Sequence, residues 1–379
     1  MAGIYIHIPF CNSKCAYCGF YSVPLQKQRS AFLTALHSEM KTRAGYLKGD
    51  KIGTIYFGGG TPSLLSTEEL HGIIETIHNY HDVDSNAEIT LEANPDTLSF
   101  EYLKSIRNLG VNRLSIGIQS FFDDDLRYLS RRHDSSHAKA CIRWAKEAGF
   151  DNLSLDLIYG LPTSSPEKWN ANLDLFFETQ AQHLSAYALT IEPNTILEKQ
   201  IAMGKLKATD EEDAVRDYEI LTRRTVQEGF LHYEISNFAR PGYRSKHNCS
   251  YWNYTPYAGF GPSAHSFDGE SRQWNISNVT RYIEKMQQVD EKGTDFYEKE
   301  TLSLSERYNE YIMTSLRTMW GCDLRYMERE MGKQFSDFCL QKAQRFIHQD
   351  LITKTNEFLH LNDSQMLFAD GIAAELFWE

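Results

Sequence analysis

Six short β-branched runs, each followed by an amphipathic stretch of helical period, occupy most of the first 230 residues of this 379-residue chain. The runs are GIYIHI (3–8), IGTIYF (52–57), AEITLEA (87–93), VNRLSIGI (111–118), DNLSLDLI (151–158) and HLSAYAL (183–189). Helical patterns follow at 27–48, 67–80, 100–109, 136–148, 167–178 and 211–229. In SHAKACIRWAKEAGF, Ala140, Trp144 and Ala148 recur at i, i+4 and i+8, and Gly149 is placed to close the helix. Parallel strands cannot be joined by a tight hairpin and need a crossover, usually a helix. The alternation therefore predicts an α/β fold with a parallel sheet, either open or curved into part of a barrel.

Residues 240–300 break this rhythm. They are rich in Tyr, Asn, Gly and Pro, show no period, and predict an irregular, aromatic-rich segment covering one end of the sheet. From about residue 300 the pattern is helical again, and LITKTNEFLHLND (351–363) reads as a two-stranded hairpin. The expected division is a β/α domain over 1–235, a lid or connection over 236–300, and a helical, winged-helix-like module over 301–379.

Charge bounds what such a chain can bind. Lys and Arg number 39 against 51 Asp and Glu, a formal net charge of -12, and the last module carries eight basic against twelve acidic residues. A nucleic-acid binder needs a basic face to neutralise phosphates, so no nucleic-acid partner is expected. The N-terminal MAGIYIHIPF has no basic n-region, and no run of eighteen apolar residues occurs, so neither a secretory signal nor a transmembrane span is expected. Seven cysteines, an odd number with three of them clustered, suit a reducing cytoplasm better than a disulfide framework.

Those three, Cys11, Cys15 and Cys18, stand in HIPFCNSKCAYCGF with the spacing C-x3-C-x2-C, just after the first strand. A structural zinc site takes four ligands, and His7 could complete such a set. An iron–sulfur cluster also usually takes four thiolates. Three thiolates would leave one iron without a protein ligand and open to chemistry.

Ligands of β/α folds sit at the carboxyl ends of the strands. Here the second strand ends in FGGGTPS (57–63), whose glycines allow a ligand close to backbone N–H groups. The third ends at Glu92 in LEANP, suited to an ammonium or to ribose hydroxyls. The fourth ends at Gln119 in SIGIQSF, with Arg131 and Arg132 following in LSRRH, and the fifth at Asp156 in LDLIYGLP. Four successive strand ends carrying polar residues beside Gly or Pro point to one binding site.

C-x3-C-x2-C after an N-terminal strand resembles the signature of the radical S-adenosylmethionine (SAM) superfamily, which implies a partial (β/α)6 barrel, a [4Fe–4S] cluster on Cys11, Cys15 and Cys18, and SAM chelating the fourth iron. Tyr17 would then shield the cluster. YIHIPFC, GGGTP, GIQSF, DLIYGLP and YEISNFARPG (233–242) together resemble the coproporphyrinogen III oxidase-like branch over nearly the whole chain. The resemblance places SAM contacts on Tyr5, Gly59, Gly60, Thr61, Glu92, Gln119, Arg131 and Asp156, with a weaker backbone contact at Ala188.

Two departures separate the chain from the oxidases of that branch. Those carry a further cysteine two residues after the third, where this chain has Phe20, and an extension ahead of the first strand, which this sequence does not show. KHNCSYWNY (246–254) contains H-N-x-x-Y-W and resembles the heme chaperone (HemW-like) subgroup, which binds heme and passes it to respiratory proteins. That implies heme as a cofactor, His247 as candidate axial ligand with Cys249 competing, and Tyr251, Trp252 and Tyr254 as apolar faces for the macrocycle. Homodimer formation and peripheral membrane contact are compatible with the resemblance. The alternative reading is an oxygen-independent coproporphyrinogen III oxidase making protoporphyrinogen IX; radical modification of RNA or protein is disfavoured by the acidic balance.

Overall fold

The computed structural model describes residues 1–24, 26–288 and 296–379. Six parallel strands in sequence order form the middle of one sheet: β1 (Ala2–Ile8), β2 (Ile52–Gly59), β3 (Val83–Ala93), β4 (Arg113–Gln119), β5 (Asn152–Tyr159) and β6 (His183–Ala188). Helices α1 (Arg29–Thr42), α2 (Thr67–Tyr80), α3 (Phe100–Asn108), α4 (Asp123–Tyr128), α5 (Ser135–Glu147), α6 (Pro166–Glu178), α7 (Ile196–Ala202) and α8 (Glu211–Gln227) connect and follow them. All six expected strands are present. The unforeseen α4 and α7 are six and seven residues long, too short to display a period.

Local chemistry starts the helices where it should. Ser66 and Glu69 form a reciprocal capping box at α2, Asp134 caps α5, and Ser165 followed by Pro166 opens α6.

Strand alternation separates two faces. Ile4, Ile6 and Ile8, with Ile55, Phe57, Leu91, Leu114, Ile116, Leu155 and Leu184, pack against Phe32, Leu36, Ile73, Leu103, Ile142 and Phe176 in one core. Each such burial stabilises by about 1.5–3 kcal/mol before the entropy of ordering is counted. The opposite face is polar. One row in register across five strands reads Tyr5, Tyr56, Thr90, Arg113 and Asn152. Tyr56 donates to Glu92 (2.8 Å), Ser115 to Asp156 (3.1 Å), and Ser154 bonds His183 (2.7 Å), so this face is lined by hydrogen-bonded polar groups.

The sheet does not close into a barrel; both edges are extended instead. β8 (Asn237–Ala239) pairs antiparallel with β6, and β7 (Leu231–Glu234) with β8. On the other edge β9 (Tyr257–Phe260) runs parallel to β1, followed by antiparallel β10 (His265–Phe267), β11 (Ser271–Asn275) and β12 (Tyr297–Thr301). Among its described residues the segment expected to be irregular therefore carries strands and two helices, α9 (Lys246–Trp252) and α10 (Val279–Gln287). Strands of three to five residues hold too few positions to show alternation, and their pairing is supplied by neighbours remote in sequence.

A buried carboxylate ties this extension down. Glu39 of α1 accepts hydrogen bonds from Arg43 (2.8 Å), Asn275 (2.7 Å), the Gly261 N–H (2.8 Å) and the Tyr282 hydroxyl (2.6 Å).

The C-terminal elements are α11 (Leu304–Leu316), β13 (Cys322–Asp323), α12 (Leu324–Met331), α13 (Lys333–His348), the hairpin β14 (Ile352–Thr355) and β15 (Phe358–Leu361), and α14 (Ala369–Ala374). They enclose their own core around Tyr308, Ile312, Met327, Phe335 and Leu359. Backbone bonds from Ile235 to Arg317 (3.0 Å) and from Met319 to Tyr233 (3.1 Å) join them to the end of β7. Among the described residues no helix is long and apolar enough to cross a membrane.

Candidate cofactor site at the strand ends

The cysteine loop leaves β1 at Pro9 and is pinned at its base, where Val23 donates to the Pro9 carbonyl (2.7 Å) and Cys11 to that of Val23 (3.2 Å). Cys11, Cys15 and Cys18 are free thiols, all partly exposed. Side chains donate to two of them, the Thr61 hydroxyl to Cys11 Sγ (3.3 Å) and Arg131 Nη1 to Cys15 Sγ (3.4 Å), and the Phe20 backbone N–H donates to Cys18. Burial pushes the Cys11 and Cys18 thiols up, while the Thr61 hydroxyl opposes this at Cys11. Among the described residues no three His, Cys, Asp or Glu side chains gather around a single ion. Thiolates of an iron–sulfur cluster bind different irons, so three thiols spread along one loop, with donors aimed at their sulfurs, fit such a cluster.

His7 does not join them. Its Nε2–H donates to the Tyr21 carbonyl (3.1 Å), which leaves Nδ1 to accept from the Tyr5 hydroxyl (3.2 Å), and burial pushes its pKa down to about 4. The zinc alternative thereby loses its fourth ligand.

The glycines after β2 serve the cysteine loop. Gly59 has φ +105°, and a Cβ there would lie 2.6 Å from the His7 ring; at Gly60 it would lie 2.6 Å from the Phe10 carbonyl oxygen. Their N–H groups, expected to be open to a ligand, are already used. Gly60 donates to Ile8 O and Thr61 to Phe10 O (both 2.8 Å), and Gly59 to Glu92 Oε2 (3.2 Å). The triple glycine thus lets β2 press against the loop that carries the thiols.

The remaining strand-end residues converge around that contact. Glu92 lies on the polar face, where burial pushes its carboxyl up to about 7 against the Tyr56 hydrogen bond. Asp156 is likewise raised by burial, opposed by Ser115 and Ser185. Gln119 ends β4 in a left-handed conformation, φ +68°, a strained backbone of the kind kept at functional sites. Arg131 Nη2 donates to Asn94 Oδ1 (2.8 Å) and Gly117 O (2.7 Å), and Asn94 Nδ2 donates to Thr61 Oγ1 (3.1 Å). Asn94 therefore links the two residues that touch the cysteines. It was missed in the sequence, where a polar residue before Pro95 at a strand end was the available signal. Tyr5 is partly buried on the same face, Tyr17 packs beside Ala16 and Leu197, and Ala188 ends β6. Arg132 turns away, 57% exposed and 3.9 Å from Asp96.

His247 lies elsewhere. It sits at the N-terminal ends of β1 and β2, where Nδ1 is 2.8 Å from Thr54 Oγ1, Nε2 is 2.9 Å from the Tyr251 hydroxyl, and the ring meets Gly3. The residue is 1% exposed, and burial pushes its pKa down to about 3. With both nitrogens engaged and no access to solvent, it offers no lone pair to an iron, which corrects its expected role as axial ligand. Along β1, from Gly3 to Ile8, the motif and the cysteine loop are separated by about 16 Å of strand. Cys249 is partly buried, its thiol pushed up to about 12 by desolvation. Tyr251, Trp252, Tyr254, Tyr257, Phe267 and Arg272 line a cavity of about 190 Å³.

Comparison with known proteins agrees with this geometry. Residues 5–176 match the Radical SAM superfamily and residues 302–368 the HemN C-terminal domain. The chain is 33% identical over 374 residues to "Heme chaperone HemW" of Bacillus subtilis (strain 168), covering 98% of both chains. It is 32% identical to the protein of that name in Mycobacterium tuberculosis (strain H37Rv), covering 99% of this chain and 94% of the relative. Against HemW of Escherichia coli (strain K12) the identity is 36% over 69% of each chain. The solved structure of coproporphyrinogen III oxidase (HemN) from Escherichia coli shares the fold, with TM-score 0.84 and 24% identity over 99% of this chain and 89% of that one. Relatives of that identity span the whole chain, and the chain belongs to the radical SAM superfamily and, within it, to the HemW family.

Proposed function

We propose that this protein binds heme and delivers it to heme-requiring respiratory proteins in the cytoplasm or at the membrane face, while holding a [4Fe–4S] cluster and SAM at the carboxyl ends of β1–β6. The observation that carries the reading is the full-length likeness to proteins named heme chaperone. Membership in the radical SAM superfamily implies the cluster and SAM. The residues here suit both: three free thiols on one loop, Thr61 and Arg131 donating to sulfur, and the carboxylates Glu92 and Asp156 on the polar face. Cys11, Cys15 and Cys18 would hold the cluster, whose chemistry when reduced would be to supply one electron to the sulfonium of SAM. This chain's residues do the positioning. Thr61, Asn94 and Arg131 hold the loop against β3 and β4, and Tyr5, Glu92, Gln119 and Asp156 present polar groups to a cationic cofactor.

Heme binding at the H-N-x-x-Y-W segment has to spare His247, which is sealed in. The neighbouring aromatic cavity, at about 190 Å³, is smaller than the roughly 300–1,000 Å³ of ordinary ligand pockets and takes only the edge of a macrocycle. Phe20, standing where the oxidases carry a fourth cysteine, is 71% exposed, and its side chain carries no atom that could bind a metal.

The deciding experiment is anaerobic. Protein with a reconstituted cluster receives SAM, reductant and coproporphyrinogen III, and in parallel heme followed by an apo-acceptor. Heme transfer without protoporphyrinogen IX supports the carrier; cysteine-dependent formation of protoporphyrinogen IX would establish the oxidase alternative instead. Transfer that persists in Cys15→Ser would detach heme delivery from the cluster.

A further inference from the structure

Asn94 stands just after β3 with both ends of its side-chain amide engaged. Oδ1 accepts from Arg131 Nη2 (2.8 Å), and Nδ2 donates to Thr61 Oγ1 (3.1 Å). A guanidinium has only donors, so the end facing Arg131 has to be the oxygen, which turns the nitrogen toward Thr61. The Thr61 hydroxyl accepts there and keeps its own hydrogen to give, and Cys11 Sγ takes it at 3.3 Å. Arg131 gives Nη1 to Cys15 Sγ (3.4 Å), while Nη2 also donates to Gly117 O (2.7 Å). One amide thus fixes the polarity of a chain that ends on two sulfurs, with a donor at each end.

The room for this chain lies over β4. A Cβ at Gly117 would come within 3.3 Å of Arg131 Nη2 and 3.6 Å of Asn94 Oδ1. Backbone bonds hold the turn after β3: the Asn94 N–H donates to Ser63 Oγ (3.3 Å), and its carbonyl accepts from the Thr97 hydroxyl (2.8 Å) and N–H (3.0 Å). The side chain is left to serve the cysteines. Two further donors come from the cysteine loop itself, the Ser22 hydroxyl at Cys11 and the Phe20 N–H at Cys18. Those move with the loop, whereas Thr61 and Arg131 belong to the connections after β2 and α4.

We propose that Asn94 is a positioning residue that sets the reduction potential of the cluster, by aiming the Thr61 hydroxyl at the Cys11 sulfur and the Arg131 guanidinium at the Cys15 sulfur. Reduction adds negative charge to a cluster, and donors aimed at its sulfurs favour the reduced form, so they raise its potential. The two donors differ in strength, since a bond from a charged guanidinium is roughly twice as strong as a neutral one. The effect on potential rests on the proposed function; the order of donors and acceptors does not.

The test is the midpoint potential of the reconstituted cluster without SAM, read by EPR during anaerobic titration with titanium(III) citrate at one fixed pH. Asn94→Asp keeps the shape and the acceptor for Arg131, but its second oxygen faces Thr61 and draws the hydroxyl hydrogen away from Cys11. It is expected to lower the reduction equilibrium constant about tenfold, ~59 mV for one electron. Part of that drop is the added charge. The same change is therefore made in Thr61→Val, which has no hydroxyl to redirect, and there the drop is expected to shrink to about threefold. Thr61→Val alone is expected to lower the constant about threefold, and Thr61→Ser to leave it at the wild-type value. An equal drop from Asn94→Asp in both backgrounds, or none in either, would overturn the proposal. Cluster-free Asn94→Asp is expected to unfold at the wild-type urea midpoint, because the backbone bonds of the turn remain. Poor iron uptake at that midpoint would still place Asn94 in control of the cysteines; poor uptake with a lowered midpoint would mark a structural role and count against the proposal. Wild-type protein that takes up no iron would overturn the cluster reading itself, whereas a cluster of equal potential in every variant would overturn this inference alone.

Discussion

The His247 imidazole lies face to face with the Tyr56 phenol, ring centroids 5.0 Å apart and planes 24° from parallel. The histidine that H-N-x-x-Y-W brings forward is thus a wedge that closes the floor of the polar face.

His247→Ala is expected to destabilise the protein by about 2–4 kcal/mol, because it opens a cavity and strands the Thr54 hydroxyl that now bonds Nδ1. Urea unfolding measures this. Heme stoichiometry of the folded fraction should stay at the wild-type value; its loss at unchanged stability would return His247 to the heme site.

Glycine cannot be replaced after β2. Gly60→Ala sets a Cβ against the Phe10 carbonyl, and Gly59→Ala adds a positive φ to a clash with His7. Both should cost about 3 kcal/mol or more and lower cluster incorporation, read as iron per chain after reconstitution. Gly149→Ala serves as comparison: its φ is +89° but nothing lies within 4 Å, so about 1 kcal/mol is expected.

Glu39→Ala leaves Arg43 buried beside Gly259 O and Gln273 without its carboxylate. Removing one partner of a buried pair costs about 3–5 kcal/mol. Because the lost bonds include those to Gly261, Asn275 and Tyr282, limited proteolysis should cut first between 261 and 282 while β1–β6 stay protected.

Acid should unfold the protein from below neutrality. Burial pushes His7, His133 and His232 to about 4 and His247 to about 3, from 6.5. Below pH 6.5 the unfolded chain therefore binds more protons at these sites than the fold does. Their contribution is complete above 6.5 and falls as pH drops toward 3–4. Glu92 and Glu234, raised to about 7, act in the opposite sense, contributing fully below pH 4.5 and losing that contribution as pH rises through 7. Four histidines outweigh two glutamates, so urea midpoints should fall from pH 6.5 to 4. His247→Phe should flatten that slope, and an unchanged slope would contradict the assignment.

Much of the fold was open to a reader of the sequence. The strands GIYIHI and DNLSLDLI declare themselves by alternation, and α2, α5 and α6 by period and cap, since these signals lie within a few residues of one another. Residues 237–301 hid their strands because each is five residues or shorter and finds its partner across the chain.

The site divides in the same way. Sequence by itself determined that three thiols share one loop after β1 and that polar residues end the next strands, because spacing and strand polarity are local properties. Tertiary structure decided what those residues meet. It turned the Gly60 and Thr61 N–H groups onto the carbonyls of Ile8 and Phe10, placed Asn94 between Thr61 and Arg131, buried Arg113 with Nε and Nη1 unpartnered, and sealed His247 at the N-terminal ends of β1 and β2. Those contacts join residues tens to nearly two hundred positions apart, and the register of parallel strands, which no local pattern encodes, sets each of them.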